Sequence, residues 1–222
     1  MNKIILLSFG TKNLIKSTNR LRQQAKNFKI YDEILIFNED DIASNDKRIS
    51  QIYNLSKTTK GYGYWFWKPF LIYKHIQHLD EGDILHYIDL GCHLNPAGIT
   101  RFNQYIDIVN NTSKGILAFQ YYPLNSNSNL KINFPLRKES MYTKADLLNF
   151  FSVLDNKDIT NSAQFWAGSF FIKKSTFSVN FLRDWLNVFK LRIDLIDDTP
   201  SKEKNFNDFI ENRYDQSVFS IM

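Results

Sequence analysis

The stretch Gly82-Asp83-Ile84-Leu85-His86-Tyr87-Ile88-Asp89-Leu90-Gly91-Cys92-His93-Leu94-Asn95 decides the fold. It opens on a turn, runs through mostly apolar residues and stops at a carboxylate with glycine close behind. A short apolar run bounded by turn residues predicts a buried strand that hands one charged group to a sheet edge. In open α/β sheets, ligands collect at the carboxyl ends of the strands. Asp89 is therefore the first candidate for function.

Upstream, Lys3–Ser8 is a compact apolar run ending in Ser8-Phe9-Gly10-Thr11. Its apolar start has no small-residue cleavage site and is too short to span a bilayer, so it reads as the first strand. Asn13–Phe28 carries Leu14, Ile15, Leu21, Ala25 and Phe28 at roughly helical spacing. Tyr31–Asn38 is a second strand closed by Glu39-Asp40-Asp41. This is a β-α-β start without G-x-G-x-x-G or a Walker A loop. Asp46–Lys60 is polar, helical or irregular. Gly61-Tyr62-Gly63-Tyr64-Trp65-Phe66-Trp67-Lys68-Pro69-Phe70 follows, and Pro69 suits the first turn of a helix predicted over Pro69–Leu79.

Downstream, a helix is expected over Thr100–Asn110 and a strand over Gly115–Gln120. Tyr121–Ser140 reads as a long loop rich in Asn, Ser and Pro, a length associated with function or motion. Thr143 and Asp146 resemble a capping box for a helix Lys144–Leu154. Ala167–Lys173 is a short strand, and Ser175 and Thr176 open an amphipathic helix to about Ile193. Asp197–Lys204 is a charged loop, and Glu211–Ser217 precedes a last apolar turn. The pattern predicts an α/β domain over residues 1–222, long enough to bury a sizeable core.

The 28 Lys and Arg against 23 Asp and Glu leave a net charge of +5, scattered rather than gathered in a block. That argues against a nucleic-acid-binding arm and favours anionic small molecules or an anionic membrane surface. A single Cys excludes an internal disulfide framework and a Cys-based zinc site, and fits a reducing, cytoplasmic compartment.

Two readings are open for Asp89: a ligand for a hard cation such as Mg²⁺ or Mn²⁺, or a cap for the next turn. His93 could be a second ligand, touch substrate, or simply be solvated. Tyr64, Trp65, Phe66 and Trp67 could stack on a base or a sugar, although several of them are expected in the core. Lys68 precedes a helix start, where anions bind well. Asp215 and Gln216 could orient a sugar hydroxyl or flank a reacting carbon, or form an N-cap for the final helix.

The order of these blocks resembles bacterial and viral sugar transferases of the capsule and lipopolysaccharide type, and nucleotide-sugar glycosyltransferases of the GT-A fold more generally. The residues that carry the resemblance begin with Trp65-Phe66-Trp67-Lys68-Pro69, Gly82-Asp83 and Asp89-Leu90-Gly91-Cys92. They continue with Tyr142-Thr143-Lys144, Phe165-Trp166-Ala167-Gly168-Ser169-Phe170-Phe171-Ile172 and Arg213-Tyr214-Asp215-Gln216-Ser217. The resemblance implies a Rossmann-like, mixed but mostly parallel sheet flanked by helices, with a nucleotide-binding part over about 1–95 and an acceptor part over about 96–222. It implies transfer of a sugar from a nucleotide-diphosphate donor, such as a UDP-sugar, to a glycan or lipid-linked acceptor in surface polysaccharide synthesis. The setting would be the cytoplasm, with peripheral contact at the inner membrane face and no nucleic-acid partner.

By the same resemblance, Ser8, Phe9 and Gly10 hold the base and ribose. Tyr64, Trp67, Lys68, Asp89 and Gly91, with the small residues Ala167, Gly168 and Ser169, line the donor. Trp166 and His93 face the acceptor. Asp215 and Gln216 lie near the anomeric carbon, with retention of configuration suggested, and Asp89 ligates Mn²⁺ or Mg²⁺. Gly91 stands where the second acid of Asp-x-Asp would be. The alternative is a non-catalytic carbohydrate-binding protein derived from such a transferase.

Overall fold

The structure, a computed structural model, describes residues 2–42, 46–56, 59–121 and 136–222. Its strands are β1 Ile4–Phe9, β2 Glu33–Phe37, β3 Ile84–Ile88, β4 Ile116–Gln120 and β5 Phe165–Lys173. They form one sheet in the order β2-β1-β3-β5-β4. β1 pairs in parallel with β2 and β3, and β5 is antiparallel to β3 and β4. Four strands therefore run one way and β5 alone runs back, which gives the mixed, mostly parallel sheet expected. The start of β5 consequently lies at the same edge as the ends of the other four.

The helices are α1 Ile15–Phe28, α2 Lys47–Ser56, α3 Gly61–Tyr64, α4 Trp67–Ile76 and α5 Ile99–Asn111. After these come α6 Glu139–Tyr142, α7 Ala145–Phe150, α8 Lys157–Thr160, α9 Thr176–Leu191 and α10 Asp215–Ile221. Strand alternation splits the core between two faces. Leu7, Phe9, Leu85, Tyr87, Phe170 and Ile172 pack under α4, α9 and α10, while Leu6, Ile84, Ile88 and Phe171 pack under α1 and α5. β3 is buried along its whole length because helices cover both its faces. Each fully buried Leu, Ile or Phe contributes about 1.5–3 kcal/mol.

His86, in the middle of β3, belongs to this core. Its ring stacks 4.1 Å from Phe171, Nδ1 pairs with Tyr31 Oη at 2.7 Å, and Nε2 pairs with Ser169 Oγ at 3.1 Å. Burial pushes its pKa down to about 3, so it is neutral.

Several boundaries move by a few residues, and the shifts at α4, β5 and α7 bear on the site. α4 starts at Trp67, two residues before Pro69, and stops at Ile76. β5 starts at Phe165 rather than Ala167. The capping box at Thr143 and Asp146 is not made. The Thr143 hydroxyl donates instead to buried Glu139 Oε2 at 2.7 Å, and the Asp146 carboxylate accepts from the Lys202 and Glu203 amides. The helix is correspondingly short, ending at Phe150. Ser175, by contrast, caps α9 as expected, accepting from the Ser178 amide. Of the loop expected over Tyr121–Ser140, residues 122–135 lie outside the described residues, and Glu139 and Ser140 open α6. Among the described residues, no helix is long and apolar enough to cross a membrane.

Candidate active site

The carboxyl edge of β3 meets an irregularity in β5. Phe119 of β4 faces Trp166, and the next residue back, Ala118, faces Phe170. Ala167, Gly168 and Ser169 therefore bulge away from β4. A bulge leaves backbone groups unpaired and re-aims them, and buried backbone groups need partners. The Gly168 carbonyl accepts from the Asp89 amide at 2.7 Å, and the Ala167 carbonyl accepts from Lys68 Nζ at 3.1 Å. The Ala167 amide donates to Gln216 Oε1 at 3.5 Å. A Cβ on Gly168 would lie 2.3 Å from the Trp166 indole, so the indole folded over this wall requires glycine there.

Lys68 comes from the first turn of α4 and is almost completely buried. Its Nζ lies 2.6 Å from Asp215 Oδ2 and 3.5 Å from Asp89 Oδ1. With the Ala167 carbonyl, three acceptors surround an ammonium that has three donors. Burial works against this charge, but Asp215 and Asp89 outweigh it and hold the pKa above the ordinary lysine value. Tyr87, one pleat before Asp89 on the same strand, donates its hydroxyl to Asp89 Oδ1 at 2.6 Å. Asp89 is 40% exposed at its side chain and Asp215 only 7%, so Asp89 is the carboxylate that faces solvent.

Burial pushes the Asp215 carboxyl up to about 6 against the opposing pull of Lys68. The sign follows from linkage. A carboxyl whose folded pKa exceeds its ordinary 3.8 stabilises the fold fully below 3.8, and loses that contribution as pH rises through about 6. Two pKa units correspond to roughly 3 kcal/mol. In urea melts from pH 4 to pH 7, Asp215→Asn is expected to gain stability relative to the native chain by that order. Parallel pH profiles for the two proteins would refute the assignment.

The aromatic wall of the cleft has an unusual backbone. Gly61, Tyr62, Gly63, Tyr64 and Trp65 all have positive φ, between 53° and 86°. The Tyr64 amide donates to the Lys60 carbonyl and the Trp65 amide to the Gly61 carbonyl, at 2.8 and 3.2 Å. This is one turn of left-handed helix, with a cost of about 1–2 kcal/mol at each non-glycine residue. The turn aims Trp65 and Tyr64 at Tyr214, whose ring stacks 5.2 and 5.4 Å from theirs. Tyr214, just before α10, is itself strained, with φ 51° and ψ −116°. Such outliers persist where surrounding structure over-determines them, and they cluster at ligand sites.

These parts enclose a cleft of about 320 Å³ lined by Trp65, Lys68, Asp89, Gly168, Tyr214 and Asp215, with Lys60, Glu211, Arg213 and Gln216 completing it. The expected residues do not all meet in this cleft. Lys68, Asp89, Gly168, Asp215 and Gln216 come together, although the Gln216 amide is committed to the fold through Gln164 Oε1 at 2.7 Å. Tyr64 and Ala167 stand directly behind this lining. Ser8, Phe9 and Trp67 are core: Phe9 stacks on Trp67 at 4.2 Å, and Trp67 Nε1 donates to the Gly61 carbonyl. Ser169 turns to the opposite face, toward His86.

Gly10 lines a separate cavity of about 230 Å³ at the ends of β1 and β2. Gly91 is open, with nothing within 4 Å of a Cβ built on it. His93 pairs with Gln24 of α1, and Trp166 lies over Gly168 outside the cleft lining. The N-cap alternative for Asp215 does not apply, because Asp215 is the first residue of α10 and its carboxylate turns to Lys68. Tyr87 and Lys60 were given no role from the sequence, and Arg213 and Tyr214 entered only within the Arg213–Ser217 block; the strand pleat placing Tyr87 beside Asp89 is a further signal.

Fold and site define an α/β protein with an acid–lysine–acid cluster in an aromatic-walled cleft at the carboxyl edge of a mixed sheet. No protein family matches the sequence, and no curated protein matches it. Among solved structures the chain is similar to the crystal structure of a glycosyltransferase involved in the glycosylation of the major capsid of PBCV-1. The likeness has 10% identity and a TM-score of 0.43 over 98% of this chain and 89% of that one.

Proposed function

We propose that the chain is a glycosyltransferase that moves a sugar from a nucleotide-diphosphate sugar to a hydroxyl of a glycan or lipid-linked acceptor in surface polysaccharide synthesis. One observation carries this reading. Lys68, Asp89, Gly168 and Asp215, from four separate blocks of the sequence, converge on a single cleft with an aromatic wall. Aromatic faces suit sugar rings, and paired carboxylates suit sugar hydroxyls and cations.

Lys68 fixes the two carboxylates and offsets their charge. Its 3.5 Å contact to Asp89 is the loosest of its three, and is the one a diphosphate oxygen would replace. Lys60 and Arg213 at the rim add positive charge for the same group. The acceptor hydroxyl attacks the anomeric carbon, the bond to the diphosphate oxygen breaks, and its electron pair leaves with the diphosphate. Asp89 and Asp215 are both held by Lys68, so the departing phosphate oxygen takes the hydroxyl proton on the same face. That course retains configuration.

Among the described carboxylates of the cleft, Asp215 is buried against Lys68 and Glu211 lies 3.4 Å from Arg213, which leaves Asp89 for a divalent ion. Oδ1 of Asp89 is engaged by Tyr87 and Lys68, and Oδ2 has no protein partner among the described residues. Mg²⁺ is often bound through one or two carboxylates plus substrate phosphates, so Asp89 fits an ion that arrives with the donor. Such an ion would supply neutralisation of the leaving diphosphate. Gly91→Asp meets no neighbour and is expected to tighten Mn²⁺ binding at least about tenfold by adding a second carboxylate. Calorimetry with Mn²⁺ checks this, and unchanged affinity would place residue 91 outside reach of the ion.

The carbohydrate-binding alternative is favoured by the saturated Lys68, whose three donors already have acceptors. Incubation with UDP- and GDP-sugars and Mn²⁺ separates the two readings. Nucleoside diphosphate release that Asp89→Asn abolishes supports transfer. Glycan binding without release from any donor would replace it with the binding protein.

A further inference from the structure

A second cavity, of about 240 Å³, lies behind Tyr214. Lys60, Glu211 and Tyr214 line both it and the cleft, so the Tyr214 side chain forms a party wall between the two. The wall is held from both sides: Lys60 Nζ donates to the Tyr214 hydroxyl at 2.6 Å, and that hydroxyl donates to Asp198 Oδ1 at 2.9 Å. The residue carrying this wall is also the strained one.

The second cavity is lined by Lys60 and Lys144 against Asp197, Asp198 and Glu211; Asp198 accepts from the Tyr214 hydroxyl and Glu211 lies 3.4 Å from Arg213. Lys144 Nζ is bound by the Asp194 carbonyl and lies 3.5 Å from Asp197, while Lys60 is taken by Tyr214. Such a lining has no net pull on an anion. It does offer uncommitted hydrogen-bonding groups. Ser201 lines this cavity, and its Oγ is buried with no partner among the described residues. The Asn205 Oδ1 accepts from the Ala145 amide, which leaves its Nδ2 donor available. Phe209 adds an aromatic face. A buried hydroxyl without a partner calls for an explanation, a bound ligand among them. Arg213 Nε, in the adjoining cleft, is buried and unpartnered in the same way.

We propose that this cavity is an acceptor subsite that holds an uncharged sugar ring of an oligosaccharide, seated across Tyr214 from the donor sugar. The acceptor is then an oligosaccharide of neutral hexoses, gripped through Ser201, Asn205 and Phe209 at the ring next to the one that reacts. This assignment rests on the transferase reading for its name, but its binding is measured without any donor.

The test is saturation-transfer NMR on the full chain with a panel of neutral hexose trisaccharides and matched trisaccharides that carry a glucuronic acid. The native chain is expected to bind members of the neutral set in preference to the acidic set. Ser201→Phe fills the cavity and should weaken that binding about tenfold or more, the loss of one to two buried hydrogen bonds. Asn205→Asp keeps the bond to the Ala145 amide and removes only the Nδ2 donor, so it should weaken binding several-fold even if Ser201→Phe fails to fold. Nucleoside diphosphate release to water, where the native chain shows it, should survive in both variants. Equal binding by native and variant chains, no binding of any neutral trisaccharide, or preference for the acidic set would each overturn the subsite. Absence of diphosphate release with glycan binding intact would overturn the transferase reading alone.

Discussion

Lys68→Met is expected to lower folding stability by about 3–5 kcal/mol and to abolish activity. Methionine keeps the length and apolar stem of lysine but removes the ammonium. Asp215 then remains buried without its 2.6 Å partner, and Asp89 loses the cation 3.5 Å away. Breaking a buried pair on one side is far more costly than never having it, because the remaining charge stays desolvated. The Asp215 carboxyl, already up at about 6 from burial, rises further once Lys68 no longer pulls against it. Protonation relieves the variant at low pH, so its deficit relative to the native chain should widen from pH 6 to pH 8. Thermal melts at the two pH values should show a midpoint lowered by roughly 10 °C or more at pH 8 for a chain of this size. A loss under about 1 kcal/mol at both pH values would mean that the cluster is solvated, at the level of an exposed pair.

Gly61→Ala should be the second most damaging of the single changes considered, at about 2–4 kcal/mol. Residue 61 has φ 61°, which disfavours any L side chain, and the new methyl would sit 2.2 Å from the Trp65 ring. The ring would have to leave its stack on Tyr214, opening the aromatic wall of the cleft. Urea denaturation measures the stability term. The change in tryptophan fluorescence on adding a neutral trisaccharide reports whether the wall has moved. Near-native stability with an unchanged response would show that the left-handed turn does not position Trp65.

Much of the scaffold could be read directly from residues. The apolar runs at Ile4–Phe9 and Ile84–Ile88 are buried strands because both lie inside the sheet with helices on each face. Ser175 marks the start of α9 because its cap is local, closed three residues away. Asp89 at the strand end was visible for the same reason, whereas Lys68, expected before a helix, lies in the first turn of α4. The failures involve groups whose partners are distant in the chain. Thr143 has the spacing of a cap, yet its hydroxyl serves Glu139 in a buried network that also holds Gln164 and Ser220. Nothing around residue 143 announces that competitor. Phe9 sits at a strand end like a ligand-binding residue, but Trp67 stacks on it and seals it into the core. The left-handed turn could be suspected from its two glycines, but not its extension through Tyr64 and Trp65, which depends on Tyr214 some 150 positions away.

The ion pair between Lys68 and Asp215 also has a consequence in time. It joins helices α4 and α10 across nearly two thirds of the sequence. Contacts of such long sequence separation carry a loop-closure cost that local helices avoid, and the separation exceeds even that of the β1–β3 pairing, which joins Ile4 to Ile84. The cleft should therefore assemble after the folding transition state, as the last part of the molecule to acquire its native contacts. In a chevron experiment, Lys68→Met would then leave the refolding limb nearly unchanged and raise the unfolding limb by almost the whole loss of stability. The same ordering makes the cleft a latch on the finished fold: it contributes little to how fast the protein forms and much to how long it lasts.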